Sequence, residues 1–406
     1  MRERLTRVFK AFTYRDFSLL WAGAFTSSVG TWMQSVAQSW LVLTISKNPQ
    51  YLAWTDALQQ APFLALSLVG GVLADRMDRR RILLLSQVVQ LSSAFLLAFL
   101  VYTHRIEVWV ILVLAFVVGV ATSFGGPAYQ ALVPTLVDRE DLPNAVALNS
   151  IQFNLARVIG PVLAGAAFAT LGAAACFGLN GLSFFAVIVA ILMLRRGAPT
   201  GAASGSVLDN LKAGLAASHG DRALRGLIAL SFIGSLLAFP LLTFLPVIAK
   251  DVFRGDVKDF SILLAIFGLG AVVGALGTAG FGHVRRRGAV AVAMQMTLGA
   301  LMIGFGLSRT KWLSYVLLFG AGAALMIVFA MFMTLVQTSV DDAMRGRVVS
   351  VYSLAFRGAM PLGSVLAGFL VGLMPAPWVL VGNGALLLLV GTTVFLRNHP
   401  EGVPKL

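Results

Sequence analysis

The chain has little charge and almost no cysteine, and both shortages restrict what kind of protein it is. Only 12% of its 406 residues are charged, about half the share found in soluble globular domains, and its mean hydropathy is +0.87. The single cysteine, Cys176, excludes a disulfide framework and a cysteine-based metal site. All four histidines lie outside the long uncharged stretches of the chain, which argues against a metal site or proton relay built on histidine within those stretches.

The sequence also lacks the motifs of ATP-driven pumps and of common hydrolases. It contains no G-x4-G-K-[ST] loop to hold a nucleotide phosphate and no H-E-x-x-H pair to hold zinc. No predicted span collects a nucleophile, a base and an orienting group. We therefore predict neither an enzyme nor an ATP-driven pump, and we predict no cofactor and no metal site.

What the sequence has instead is a series of long stretches without charge. Asp, Glu, Lys and Arg are absent from residues 17–46, 82–103, 108–137, 158–194, 260–282, 312–340 and 358–396. A span needs about 20 apolar residues, so the two longest stretches must each hold more than one helix. Dividing the chain at polar and Gly/Pro breaks predicts an all-α membrane protein with twelve transmembrane helices. They lie near residues 17–44, 51–74, 82–103, 108–132, 145–170, 173–194, 223–248, 259–281, 289–308, 312–336, 348–372 and 378–396.

The basic residues are unevenly distributed between the two sides of the predicted membrane. Of the 31 Lys and Arg, 22 fall in the loops and termini of one side and 7 in the loops of the other. The positive-inside rule then predicts that both termini lie in the cytoplasm. The short loops and the lack of any soluble domain predict a multi-pass protein of the bacterial inner membrane. The net charge of +14 thus reflects membrane topology, and we predict no nucleic-acid partner. The first apolar run is too long for a signal peptide, so we expect a first transmembrane helix there.

The two halves of the chain repeat each other. Residues 132–138 (LVPTLVD) match residues 335–341 (LVQTSVD) at five of seven positions, and basic triplets follow the second and the eighth span. These matches predict a duplicated protein with two pseudo-symmetric six-helix bundles. We assign residues 1–194 and 223–406 to the bundles, and residues 195–222 to a cytoplasmic linker with a short interfacial helix.

Two arginines, Arg157 and Arg357, lie 200 residues apart inside predicted spans five and eleven. An arginine at the centre of a span costs about 2.5–3.5 kcal/mol on insertion scales, so it normally faces a partner or a water-filled cavity. These side chains could bind an anionic part of a substrate, or they could donate to helix ends and carbonyls as structural groups. The sequence leaves both interpretations open.

Other polar side chains also fall within the spans. Asp56 is the only carboxylate within a span that could carry a coupling proton, although a solvated position near the span's outer end is also open. The uncharged candidates for lining a substrate cavity are Gln34, Gln38, Asn149, Gln152 and Asn154, and some of these could instead join neighbouring helices.

The loop after span two resembles an inner-loop motif of the major facilitator superfamily, a large family of membrane transporters. Residues 71–81 read GVLADRMDRRR, and the family pattern is G-x-L-a-D-R-x-G-R-R, with Asp78 here at the usual glycine. The resemblance implies a cytoplasmic gate in which a carboxylate faces the N-terminal end of span eleven. Its residues would be Gly71, Asp75, Arg76, Arg79 and Arg80.

Span five resembles the exporter motif of the same superfamily, G-x3-G-P-x2-G-G. The matching residues are Gly160, Pro161 and Gly165, with alanines at the first and penultimate glycines, and Pro361 is the equivalent proline of span eleven. Proline removes a helix hydrogen bond, so these positions are candidates for helix bending. Span four carries no arginine, unlike that of many drug-antiporter relatives.

Residues 30–40 (GTWMQSVAQSW), 144–149 (NAVALN) and 345–350 (RGRVVS) resemble the branch that contains enterobactin exporters and macrolide-efflux proteins. This resemblance implies the major facilitator fold and secondary active export of a small amphipathic or hydrophobic compound by alternating access. The expected partners are the substrate, a coupling proton and the lipid bilayer, and the chain is expected to be a monomer. An importer, a flippase for a lipid-like substrate and a non-transporting scaffold or sensor remain alternatives.

Overall fold

The chain folds almost entirely into long helices. The computed structural model describes residues 9–76, 78–195, 207–280 and 287–397, and these ranges contain no strand. In the first half the long helices are α1 (Arg15–Ser46), α2 (Gln50–Arg76), α3 (Arg79–Tyr102), α4 (Val108–Leu132), α5 (Leu142–Leu171) and α6 (Ala173–Leu192). In the second half they are α7 (Arg222–Ala238), α8 (Val257–Gly280), α9 (Arg287–Leu307), α10 (Lys311–Thr338), α11 (Asp342–Val371) and α12 (Ala376–Arg397).

The lengths and compositions of these helices suit a multi-pass membrane protein. Ten of them, α3 to α12, are long and apolar enough to cross a membrane, counting α7 together with the turns that follow it. The other two are 32 and 27 residues long, and α1 is more polar because eight Ser, Thr and Gln residues lie between positions 26 and 39. The predicted all-α membrane fold is confirmed, and the described helices lie within a few residues of the predicted spans.

The seventh span is the least regular of the long elements. After Ala238 it continues through the short helices Pro240–Thr243 and Leu245–Val247 and a five-residue π-helix, Ile248–Val252. Two prolines, Pro240 and Pro246, begin these turns, and neither has an N–H to continue the hydrogen bonding of the preceding helix. This broken region carries Thr243, and Arg254 follows it two residues after the π-helix ends.

The chain divides into two compact units. Unit 1 comprises Met1–Ile45 and Ala61–Ser204, and unit 2 comprises Ser46–Gln60 and Gly205–Leu406. The beginning of α2, up to Gln60, therefore packs with the second half of the chain. A helix at Val207–Gly220 lies in the linker and packs against α7 and α11. Its location in the membrane interface and the predicted bundle boundaries stay predictions.

Each unit has an apolar core at repeat-related positions. In unit 1, Leu132 and Val133 at the end of α4 are buried together with Leu148 of α5. In unit 2, the matching Leu335 and Val336 at the end of α10 are buried together with Val348 of α11. Because equivalent residues of the repeat form equivalent parts of the two cores, the internal repeat detected in the sequence corresponds to a repeat in packing.

Aromatic side chains are exposed where several helices begin or end. Trp109, Trp312 and Trp378 stand at the beginnings of α4, α10 and α12, and they are 61%, 82% and 53% exposed. Tyr102 ends α3 and is also exposed. By the predicted topology, all four rings fall at the outer level. Tryptophan and tyrosine favour the membrane–water interface, and these rings suit that level.

Candidate functional site

A polar network joins three helices of unit 1. The hydroxyl of Tyr129 on α4 donates to Asn149 Oδ1 of α5 at 2.7 Å, and Gln152 Oε1 lies 3.3 Å from the same hydroxyl. Gln152 Nε2 in turn donates to Ser28 Oγ of α1 at 3.1 Å. The structure thus brings together two predicted candidates, Asn149 and Gln152, and adds two side chains that the sequence did not single out.

The other uncharged candidates are in different surroundings. Gln34 Oε1 accepts a hydrogen bond of 2.7 Å from Asn180 Nδ2 of α6, so Gln34 joins α1 to α6. Asn154 donates to Ser150 O of its own helix at 2.8 Å, outside the network around Tyr129. Gln38 is buried within α1.

Arg157 of α5 lies against the ring of Trp32 of α1. The Cζ atom of the guanidinium is 5.5 Å from the ring centroid. Helix α5 approaches closely at this point because position 160 is glycine; a Cβ there would lie 2.9 Å from Val29 O and would overlap the Trp32 side chain. Gly160 therefore lets α1 and α5 pack closely enough for the arginine to meet the ring.

The guanidinium of Arg157 lacks polar partners among the described residues. Its Nε atom is buried without a hydrogen bond, and no described carboxylate forms an ion pair with it. A cation–π contact is worth about 0.5–2 kcal/mol, whereas a mid-span arginine costs about 2.5–3.5 kcal/mol. The ring alone does not offset that cost.

Arg357, the equivalent residue in α11, has different surroundings. Its side chain is exposed in unit 2, whereas Arg157 is partly buried in unit 1. The neighbouring Phe356 belongs to an aromatic cluster with Phe239 and Phe329, at centroid distances of 5.8 and 4.7 Å. The sequence repeat placed the two arginines at equivalent positions, and Arg357 is the more exposed of the two.

Asp56 lies in the part of α2 that belongs to unit 2, and hydroxyl groups surround it. Ser364 of α11 donates to Asp56 Oδ2 in a short contact, and Thr243 Oγ1 lies 3.4 Å from the same oxygen. Gln60 Nε2 donates to Oδ1 at 2.7 Å. No described cation pairs with this carboxylate. The arrangement keeps Asp56 hydrogen-bonded by neutral donors inside a span.

The predicted cytoplasmic gate is only partly visible. The side chains of Asp75 and Arg76, and the surroundings of Gly71, lie outside the described residues. Arg79 Nη1 donates to Ala131 O at 3.2 Å, and Arg80 Nη1 donates to Leu194 O at 3.1 Å. Both arginines thus hold the ends of neighbouring helices within unit 1.

Asp78 occupies the position where the family pattern has glycine, and the structure gives a reason why aspartate suits it. Its backbone is extended, with φ −62° and ψ 112°, so no left-handed conformation is needed. The Asp78 carboxylate accepts a 2.9 Å hydrogen bond from Arg80 N and forms the N-cap of α3.

The predicted bending positions lie inside continuous helices. Helix α5 runs through Pro161 and Gly165, and α11 runs through Pro361, without a break in either helix. Bending at these prolines stays a prediction.

Across the described part of the chain, no group of three His, Cys, Asp or Glu side chains is arranged to hold a metal ion.

Several residues around these sites were missed by the sequence analysis. Trp32, Tyr129 and Ser28 contact candidate residues in unit 1, and Thr243 and Ser364 surround Asp56 in unit 2. Ser and Thr are frequent in the spans, so their composition gives no signal. Trp32 lies within a motif that resembles the exporter branch, and that position was the one available clue.

Together, these long apolar helices define a multi-pass membrane protein. The sequence matches the family described as transmembrane secretion effector over residues 6–403. The chain therefore belongs to this family (MFS_3), within the major facilitator superfamily, as its motifs predicted.

Individual relatives agree with this family. The chain is 26% identical to the staphyloferrin A transporter of Staphylococcus aureus, over 85% of this chain and 87% of that protein. It is 23% identical to macrolide efflux protein A of Streptococcus pyogenes, over 94% and 96% of the two chains. It is 27% identical to the enterobactin exporter EntS of Shigella flexneri, over 95% and 92%. These relatives confirm the predicted branch.

The fold itself resembles solved transporters. A crystal structure of a POT family transporter with a thioalcohol-conjugated peptide superposes with a TM-score of 0.76, covering 95% of this chain and 96% of that one. The two sequences are 14% identical, so this similarity concerns the fold alone.

Proposed function

We propose that this protein is a secondary active transporter that exports a small amphipathic or hydrophobic compound by alternating access, coupled to protons. The family and the fold support transport, and relatives named as an efflux protein and an exporter favour export. The proposed orientation has both termini in the cytoplasm, on the basis of the asymmetric basic residues. The relatives' substrates suggest siderophores, antibiotics or similar metabolites as the first compounds to test.

The observation that carries this proposal is the guanidinium of Arg157. It is partly buried in a span, covered on one side by Trp32, and without a described carboxylate partner. We propose that Arg157 binds an acidic or polar group of the substrate while the Trp32 ring contacts its apolar part. A guanidinium suits this role because it remains charged and presents several donors in a fixed plane.

We propose Asp56 as the proton carrier. The carboxylate is held by Ser364, Thr243 and Gln60 and has no cationic partner among the described residues. Since serine and threonine hydroxyls can also accept hydrogen bonds, the same neighbours can accommodate the protonated acid. Asp56 joins α2 to α7 and α11 within unit 2, so a change in its charge would alter a contact between helices that belong to different halves of the sequence.

The experiment is a transport assay in proteoliposomes that contain a pH-sensitive dye. With an imposed proton gradient, siderophores, macrolides and lipophilic cations are added one at a time to the wild type, Asp56→Asn and Glu140→Gln. Glu140 is an exposed loop carboxylate and serves as the matched control. We expect substrate-dependent proton movement in the wild type and the control, and none in Asp56→Asn.

Other outcomes separate the parts of this proposal. Substrate movement without proton flux in the wild type would reject proton coupling and remove Asp56 from the mechanism. Proton flux that persists in Asp56→Asn would keep the coupling and reject this carrier. An absence of movement for every compound in the panel would contradict the proposed substrate range.

A further inference from the structure

Unit 2 contains a cleft at the end away from the linker helix. Its volume is about 630 Å³, within the range of small-molecule sites, about 300–1,000 Å³. It is lined by Pro49 before α2, by Asp251, Val252 and Arg254 at the end of the seventh span, by Arg309 between α9 and α10, and by residues 371–377 where α11 ends and α12 begins. We call this space the loop cleft; Arg157, Trp32 and Asp56 are not among its lining residues.

Two arginines line the loop cleft without a carboxylate partner. Neither Arg254 nor Arg309 forms an ion pair with any carboxylate in the described ranges. Arg309 Nη1 donates to Gly306 O at 3.2 Å and contacts Ser308 O at 3.4 Å. These contacts hold one side of the Arg309 guanidinium at the cleft, and its other donors remain for a ligand.

Arg254 is presented to the cleft by an unusual backbone. It follows the π-helix Ile248–Val252, and its own φ is +49°, in the left-handed region that non-glycine residues rarely adopt. The next residue closes the turn, with Gly255 N donating to Ala249 O at 2.9 Å. This turn ends the seventh span and places Arg254 in the cleft wall, where its guanidinium has no hydrogen bond or ion pair with the described part of the chain.

The charges of the cleft indicate the ligand class. Two guanidinium groups and one carboxylate, Asp251, line it, so its formal balance is positive. Arginine binds carboxylate and phosphate groups through paired hydrogen bonds. Asp251 can accept a hydrogen bond from a hydroxyl or amino group elsewhere on the same ligand. Met374 and Pro375 add apolar surface.

We infer that the loop cleft of unit 2 binds an anionic group, a phosphate or a carboxylate, through Arg254 and Arg309. This site goes beyond the proposed transport function and does not depend on Arg157 or Asp56. The anionic group could be supplied by a free solute or by a lipid headgroup, because both present the same oxygens.

Binding is measured on the purified full chain, without a transport assay. Inorganic phosphate is titrated by calorimetry into protein in a neutral detergent. In parallel, native mass spectrometry measures retained phosphatidylglycerol after extraction from nanodiscs of phosphatidylcholine with and without that lipid. The variants are Arg254→Gln, Arg309→Gln and, as a matched control, Lys258→Gln, an exposed cation outside the cleft.

We expect each arginine variant to weaken binding about tenfold, or about 1.4 kcal/mol, because it removes one charge-assisted contact. We expect the control to bind as the wild type does. We expect Asp251→Asn to bind more tightly because a repelling carboxylate is removed. Phosphate binding identifies a free-solute site, and retention of phosphatidylglycerol alone identifies a lipid site; both support the inference. Absence of both, or full binding by the double arginine variant, overturns it.

Discussion

Two glutamines, one in each unit, are equally buried but differ in the hydrogen bonds of their side chains. Gln152 in unit 1 and Gln295 in unit 2 are both 0% exposed. Gln152 bonds to Ser28 and lies within reach of Tyr129, whereas both amide atoms of Gln295 lack a described partner. Gln295 borders a cavity of about 10 Å³, roughly the space for one water molecule. A polar residue in a span therefore has no fixed role, and its partners on neighbouring helices decide what it does.

The two repeat-related arginines follow the same rule. The side chain of Arg157 is partly buried beside Trp32, whereas the side chain of Arg357 is exposed. Duplication of the sequence preserved the residue type and not its surroundings. We therefore expect the two halves to contribute unequally to substrate binding, and substitution of the two arginines tests that expectation.

The largest expected effect concerns the arginine pair. We expect Arg157→Gln to reduce transport about tenfold or more, because one charge-assisted substrate contact is worth about 1.5–3 kcal/mol, and we expect Arg357→Gln to reduce it less. Initial rates in proteoliposomes, normalised to inserted protein, measure both, with the exposed loop substitution Arg139→Gln as the control. Normal transport by both variants would reject the functional interpretation of the pair.

The close approach of α1 and α5 gives the second prediction. We expect Gly160→Ala to destabilise the protein by about 1–3 kcal/mol, because an added methyl group would overlap Trp32 in a packed contact. A methyl group added at Gly178 in α6 would have nothing within 4 Å, so Gly178→Ala is the matched control and should be neutral or stabilising. Thermal unfolding in detergent measures both. Equal melting temperatures would show that α1 can move away from α5 at little cost.

The glutamine pair gives the third prediction. We expect Gln152→Met to destabilise by about 1–3 kcal/mol, because the substitution leaves Ser28 without this partner. Gln295→Met should be nearly neutral or stabilising, since it removes two buried polar atoms that have no described partner. Melting temperatures of the two variants test the difference. A comparable loss for Gln295→Met would indicate that a bound water satisfies Gln295 in the small cavity.

The smallest expected effect is a pH dependence at the start of unit 1. Lys10 donates to Asp141 at 2.8 Å, and Tyr14 OH donates to it at 2.8 Å. These bonds, that of Lys10 first, lower the pKa of Asp141. The hydrogen bond from Lys10 to Asp141 raises the pKa of Lys10. The pKa of Tyr14 is raised to about 12, and the hydrogen bond to Asp141 is the largest of several causes.

The signs of these shifts define the pH window. The Asp141 contribution is present above the unfolded pKa of about 3.9 and is lost as the pH falls through the lower folded value. The Lys10 contribution is present below the unfolded pKa of about 10.4 and is lost as the pH rises through the higher folded value. Melting temperature against pH should fall slightly at both ends, and less steeply in Asp141→Asn. Identical profiles for this variant and the wild type would remove the cluster from the stability of unit 1.

Parts of the site were accessible from sequence because they depend on local chemistry. Arg157 and Asp56 stand out since charges are rare in spans. Their partners were not accessible. Trp32 meets Arg157 across 125 positions of chain, and Ser364 meets Asp56 across 308. Nothing local distinguishes Ser364 from the other serines of the spans, and the one sequence clue to Trp32 was its place within residues 30–40.

The sequence by itself determined the helical membrane fold, the approximate helix bounds, the internal repeat and the family. Those properties follow from hydropathy, charge distribution and short motifs, each of which is a property of neighbouring residues. Only the tertiary structure decided that the beginning of α2 packs in unit 2, that Arg157 and Arg357 have different surroundings, and that Gln152 is bonded while Gln295 is not. These outcomes depend on which helix faces meet, and one-dimensional patterns do not specify those faces.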